Sequence, residues 1–138
     1  MADFEIHFEN NADEVRKELR RKLSRILTAW GMEAVRLVQQ LTPVGKLYGG
    51  NLRQSINFQA DESAQEVQIG SPADYAAYVE MGTGKYTPGG RPTPWSYQAA
   101  DGKWYRTSGM PAQPYLKPGV ESGVTEYERK MRQILEED

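Results

Sequence analysis

The chain has no cysteine and only one histidine in 138 residues. The first absence excludes a disulfide scaffold and thiolate metal sites, and it fits a reducing compartment. The second leaves nucleophilic catalysis without its usual base. The one imidazole, His7, falls on the polar side of the alternating stretch ADFEIHFEN, opposite Phe4, Ile6 and Phe8, which is the period of a half-buried strand. It reads as an exposed strand histidine, so neither a catalytic triad nor a histidine-based zinc site can be assembled around it. No apolar run approaches the ~18 residues of a membrane span, and no leader precedes the first charges, so the chain is expected to be soluble and cytosolic at synthesis. Net charge is −2, which excludes a global basic field for nucleic acid or anionic lipid. Apolar residues are scarce as well, at 38% with a mean hydropathy of −0.72. A thin core, an elongated shape or a face completed by a partner is expected. The length suits one domain, residues 1–138, able to bury roughly two thirds of its unfolded surface without metal or disulfide.

What is present is mostly helical. Asn11 is a candidate N-cap with Glu14 as its capping-box partner. Beyond it, Val15, Leu19, Leu23, Ile26, Trp30, Ala34, Leu37 and Leu41 recur at helical spacing until Pro43. About thirty residues at 1.5 Å each make a helix of roughly 45 Å. That exceeds what a domain of this size needs, so one end should overhang the core or pack on a neighbour. Gly31 is the expected weak point where the helix bends. Asn51 is placed to cap a short turn of helix with Gln54 at the box position. Ile56 and Phe58 against Val67 and Ile69, around the polar DESAQ, predict a β-hairpin.

Ser71 and Pro72 read as the cap and first residue of a short helix running to about Met81 and ended by Gly82. Residues 85–109 are dense in glycine and proline, yet WSY and KWY flank AADG, which predicts a second hairpin with cross-strand ring contacts. In QPYLKP the prolines favour extended backbone and present Tyr115 and Leu116 to a core or a partner groove. Both side chains should be buried, under the helix bearing Tyr75 to Met81 or at a subunit contact. A last amphipathic helix is expected after Pro118, through Val120, Val124, Tyr127, Met131 and Leu135. The fold class is α+β: a small antiparallel sheet packed by one long N-terminal helix, a short central helix and a C-terminal helix, with an extra aromatic hairpin.

Candidate chemistry is sparse. GTGK at 82–85 lacks the spacing of a phosphate loop and follows a helix C-terminus, whose dipole repels phosphate. Asp74 and Glu80 are six residues apart, so on a helix they point to different sides and make a poor hydrolytic pair. Glu80 near a helix C-terminus needs a compensating donor: a backbone N–H beyond Gly82, or an arginine such as Arg53 or Arg91. The cations Arg16, Lys17, Arg20, Arg21, Lys22 and Arg25 are interleaved with Glu14 and Glu18, and Glu18–Lys22 has favourable helical spacing. The stretch reads as a solvated face, with docking on an acidic partner as its main competitor. A cell-wall hydrolase using Glu80 and a nucleic-acid-binding module stay open as alternatives. Release of label from peptidoglycan would favour the first, and affinity that falls steeply with salt the second.

Four stretches occur in order: Pro43 with Gly45; Gly50-Asn51-Leu52-Arg53-x-Ser55-Ile56; Tyr75-Ala76-x-Tyr78-Val79-Glu80-x-Gly82-Thr83-Gly84; and Pro114-Tyr115-Leu116-x-Pro118. Together they resemble a family of phage structural proteins named after gene product ten of phage HK ninety-seven, also called tail-component, neck or tail-completion proteins. The Trp-Tyr insert is similar to that of the longer members. Met81 stands where the family usually has an aromatic, Tyr115 where phenylalanine is commoner, and Gly119 where alanine usually starts the last helix, which implies a looser first turn. The resemblance implies a non-enzymatic virion protein of the head–tail junction, assembled in the host cytoplasm. It would act as a homo-oligomeric ring subunit among other phage neck and tail proteins, with no cofactor, no membrane association and no specific nucleic-acid binding. The residues it marks as structural or interacting are Leu52, Arg53, Ser55, Tyr75, Tyr78, Glu80, Gly82, Thr83, Gly84, Pro114, Tyr115 and Leu116.

The composition of residues 85–109 leaves few aliphatic side chains to anchor them, so this segment should have the lowest local stability of the free chain. Fast amide hydrogen exchange is expected there, and strong protection across Trp95 to Tyr105 in the isolated protein would contradict it.

Overall fold

A computed structural model describes residues 11–44, 50–99 and 101–137. The alternating stretch with His7 and the motif residue Gly45 lie outside the described residues. The elements are α1 (Ala12–Leu41), α2 (Asn51–Ser55), β1 (Asn57–Asp61), β2 (Glu66–Gly70), α3 (Ala76–Met81), a 3₁₀ turn (Gly84–Tyr86), β3 (Trp95–Gln98), β4 (Trp104–Thr107), α4 (Leu116–Glu121) and α5 (Val124–Leu135). The fold class is α+β, with two separate two-stranded antiparallel sheets, β1–β2 and β3–β4, among the described residues.

The 30 residues of α1 form the spine. One stripe, Ile26, Leu27, Gly31, Ala34 and Val38, is buried, and β1, β2, α4 and α5 all pack on α1. Val15 and Leu19, a turn or more before the stripe, stay about half exposed, so the first turns reach beyond the core as the helix length requires. Asn11 makes no side-chain cap, and its carbonyl accepts the Val15 N–H at 3.0 Å instead. Asp13 and Glu14 still place negative charge on the first turn, where the helix dipole favours it. At the other end the Thr42 hydroxyl donates to the Val38 carbonyl at 2.7 Å. An Arg53 guanidinium N–H donates to the Thr42 carbonyl at 3.1 Å, tying α2 to the end of α1. Asn51 is the first residue of α2 rather than its cap; the cap position is Gly50, at φ 84°.

Gly31 is a notch. A Cβ there would lie 2.2 Å from the Phe58 ring, which sits on the helix at this point. Phe58 pairs with Ile69 across β1–β2, and both are turned towards α1, while Asn57, Gln59, Asp61, Glu66 and Gln68 alternate outward and are exposed. Gly119 does the same for α4. A Cβ on it would fall 2.7 Å from Val38 Cα, so α4 crosses α1 backbone to backbone. Where looseness was expected at Gly119, the missing side chain lets α4 sit directly on α1.

Two further boundaries differ from expectation. The segment after Ser71 becomes helical only at Ala76, because the Ser71 hydroxyl accepts the Ala73 N–H (3.0 Å) in a local turn. The C-terminal helix begins at Leu116, ahead of Pro118, and is divided at Ser122–Gly123 into α4 and α5. Proline is compatible with a first helical turn, whose N–H groups have no intrahelical partner. On α5, Tyr127 offers its carbonyl to Trp30 Nε1 (2.8 Å), its ring lies 6.1 Å from that of Trp30, and its hydroxyl donates to the Val120 carbonyl. Among the described residues no helix is long and apolar enough to cross a membrane.

The notch predicts a sign reversal. Ala should gain about 1 kcal/mol over Gly in a helix interior, yet Gly31→Ala should destabilise the protein because the Phe58 ring has to leave its seat. In a Phe58→Ala background the same change should become neutral or stabilising. Chemical denaturation of the four proteins measures this cycle, and a Gly31→Ala protein as stable as the parent would show that the ring is not seated as described.

Candidate interaction site

The motif residues converge where α3 and the 3₁₀ turn run alongside residues 108–117. The short helix α3 is two-sided: Val79 is fully buried while Tyr78 and Met81 are exposed. Gly82 ends the helix at φ 81°, with its N–H on the Tyr78 carbonyl. The two segments then bond through their main chains. Thr83 N–H donates to the Met110 carbonyl and Met110 N–H donates back to Thr83 Oγ1, both at 2.9 Å. Lys85 N–H donates to the Ser108 carbonyl at 3.1 Å, and Gln113 N–H to the Val79 carbonyl at 2.8 Å. The approach leaves no room for side chains: a Cβ on Gly84, at φ 61°, would lie 2.1 Å from the Ser108 carbonyl oxygen. Thr-Gly at 83–84 thus serves close main-chain contact, a use that needs glycine.

Glu80 lies at the centre. Its Oε2 accepts the N–H groups of Tyr115 (2.7 Å) and Leu116 (2.9 Å), and its Oε1 accepts that of Lys117 (3.1 Å). These are the unpaired donors at the start of α4. The following residue is Pro118, which has none, and the Gly119 N–H closes on the Tyr115 carbonyl at 3.1 Å. Every donor of the first turn is therefore accounted for. A carboxylate at a helix N-terminus also has the favourable sign for the dipole, which offsets its unfavourable place at the end of α3. The donors are main-chain groups, as one of the expected options had it, but they come from residues 115–117 rather than from the loop after Gly82. Arg53 is occupied at Thr42, and Arg91 lies over the Trp95 ring, 5.9 Å from its centroid.

Tyr115 follows from this anchor. It is 2% exposed, packed with Val38, Leu52, Ile56 and Val79, with Tyr75 and Leu116 against the same cluster. Its hydroxyl donates to the Ala76 carbonyl at 2.9 Å. Burial first, and then the neighbouring Glu80 carboxylate and Tyr75, push its phenol above the usual tyrosine range, so it stays a neutral donor. Ser55 donates to the Leu52 carbonyl and meets the Ser71 hydroxyl. Tyr78 and Pro114 stand apart, both facing outward. Val38, Met110 and Gln113 belong to the same framework and were missed by sequence reasoning, which marked Gly31 and Gly119 but not the close contacts they make. A glycine interrupting a strong helical period is the signal that pointed to Gly31.

Chemically, both Glu80 oxygens are committed as acceptors to main-chain donors, which is the work of a cap. Asp74 sits on the exposed turn before α3. Among the described residues no group of three or more His, Asp or Glu is placed to hold a metal ion. The basic stretch on α1 is largely answered within the fold. Arg16 pairs with Asp13, Arg21 with Glu18 and Arg25 with Glu137, while Lys22 donates to the carbonyls of Leu135 and Glu137 rather than pairing with Glu18.

A family model described as "Bacteriophage HK97-gp10, putative tail-component" matches residues 7–82, more than half of the chain. No curated protein and no solved structure matches it significantly.

Replacing Glu80 tests the cap. Glu80→Gln keeps the length but offers one acceptor and turns an NH₂ group towards main-chain N–H donors. Hydrogen bonds to charged groups contribute about 1.5–3 kcal/mol, so the melting temperature should fall by several degrees. An unchanged melting curve would show that the cap is dispensable.

Proposed function

The chain belongs to the HK97-gp10-like family of bacteriophage tail components, and from that membership we propose that it is a non-enzymatic ring subunit of the head–tail junction. The observation that supports this reading is the use the fold makes of its most distinctive polar residue. In an enzyme, a carboxylate between a glycine-rich turn and an aromatic anchor would face an open cleft. Here Glu80 faces inward and holds two segments of main chain together. The motif residues build a scaffold, and what the scaffold presents outward is surface. Tyr78, Met81 and Tyr86 are exposed beside it, and Leu41 and Val44 are exposed at the end of α1. Side chains of this kind line contacts between subunits or with neighbouring proteins more readily than they serve a lone monomer. The partners are then other neck and tail proteins and further copies of this chain, and the protein resides in the virion after assembly in the host cytoplasm.

The experiment is to remove the protein from a producing phage or prophage and examine the particles. Filled heads and complete tails that fail to join are expected, with restoration when the protein is supplied. A gold-labelled antibody should mark the junction in the parent particle. Label at the distal tail tip, or joined particles formed without the protein, would refute the placement.

A further inference from the structure

Resting on the ring-subunit reading, we propose that the β3–β4 hairpin is an arm that docks on the outer face of the β1–β2 hairpin of a second copy of this chain. The arm stands apart from the body: β3 and β4 pack chiefly on each other. Its base is held by the Thr83–Met110 and Lys85–Ser108 bonds, so its direction is set by the core. Its two faces differ. Tyr97 and Tyr105 stack across one face at 5.9 Å. The other carries Trp104 opposite Gln98 and Arg106 opposite Ser96. Trp104 is 68% exposed, and among the described residues Arg106 has no carboxylate partner.

The outer face of β1–β2 is the complement. Gln59 pairs with Gln68, and the next outward pair is Asp61 with Glu66. Two carboxylates directly opposite each other on one face are unfavourable, and no cation of the described fold pairs with either. From Gln54 to Gly84 the chain has five acidic residues and no lysine or arginine; from Lys85 to Lys117 it has five cations and one acid, Asp101. Asp101 is itself engaged by the Tyr105 hydroxyl and the Lys103 N–H. The spacing matches too. Trp104 and Arg106 are two residues apart on a strand, as are the Gln59–Gln68 and Asp61–Glu66 rows, so both steps measure about 7 Å. A shallow groove here is lined by the outward Asn57, Gln59 and Gln68, with Ser71 and Pro72 among others. With Trp104 over the Gln59–Gln68 row, Arg106 lies between the two carboxylates. Because arm and acceptor face are different surfaces, the contact is head-to-tail and can propagate into a ring. One such contact is smaller than the roughly 800 Å² per partner of a stable complex, so it is weak singly and gains from closure of the ring.

The absence of cysteine makes the test clean. Gln59→Cys and Gln98→Cys versions of the full chain, mixed under mild oxidation, should form a disulfide-linked dimer that neither forms alone. Added salt should reduce the yield. Arg106→Glu in the arm partner should abolish it, as should Asp61→Arg with Glu66→Arg in the acceptor, and combining the reversed arm with the reversed face should restore it. Circular dichroism of each variant confirms folding. A chain that self-associates without forming this cross-link, or whose cross-link ignores the charge reversals, overturns the arm contact and leaves the ring reading standing. A chain that stays monomeric at all concentrations and forms no cross-link overturns it as well. So does salt-sensitive binding of a single-stranded oligonucleotide that is lost in Trp104→Ala without any self-cross-link, which would assign the arm to nucleic acid. The junction placement fails separately, by the position of the label in the virion.

Discussion

Three backbone N–H groups converge on one carboxylate, and the rest of this fold is arranged around that convergence. α3 and α4 are each six residues long, well below the length at which a helix is stable on its own. Neither can supply its own ends. Glu80 answers both problems at once, placing an anion on the start of α4 while fixing the direction in which α3 ends. The geometry sets Tyr115 at the helix entrance, and the Tyr115 ring then fills the space between α1, α2 and α3. Without the carboxylate, the part-buried donors of Tyr115 and Leu116 would lose their acceptor, at a cost of about 1–3 kcal/mol each where water does not replace it.

Close approach is the second device of the fold. Phe58 on Gly31, Val38 on Gly119 and Ser108 on Gly84 are contacts from which a β-carbon is excluded. A chain with few aliphatic residues compensates for volume with proximity: dispersion falls steeply with separation, so bringing backbones together recovers packing that larger side chains would otherwise provide. The same logic explains why α1 is glycine-interrupted yet continuous. Its glycine faces the sheet and is covered, so the usual penalty is offset at that site.

How much of this was legible in the sequence follows from the range of the interactions. The spine α1, both hairpins and the glycine ending α3 rest on periodicity or on residues within a few positions, and each is where the pattern placed it. Caps were less legible. Asn11 and Asn51 have suitable chemistry for a side-chain cap, but neither makes one: Asn11 stands at the cap position without a side-chain bond, and Asn51 lies inside α2, whose cap position is Gly50. The partners of Glu80 lie 35 to 37 residues away, beyond anything a local rule can see. The prolines around Tyr115 read as extended backbone with the last helix starting after Pro118, but with Glu80 occupying the preceding donors Pro118 becomes the third residue of a first turn. The burial of Tyr115 was legible; its route there was not.

The body and the arm therefore stand in a mechanical relation. Glu80 fixes residues 115–117; the Gln113, Met110 and Ser108 bonds carry that register back along the chain to the base of β4; and the 3₁₀ turn does the same for the approach to β3. Both strands of the base are bonded main chain to main chain with glycine at the crossing, so the carboxylate is linked to the start of the arm through a short run of bonds. Where the arm points is thus decided by the same group that holds the core. In a head-to-tail assembly a small angular error per subunit accumulates around the ring, and a closed ring tolerates little of it. A cap made of three main-chain hydrogen bonds is a better guarantor of arm direction than surface ion pairs, which salt screens and side-chain motion blurs.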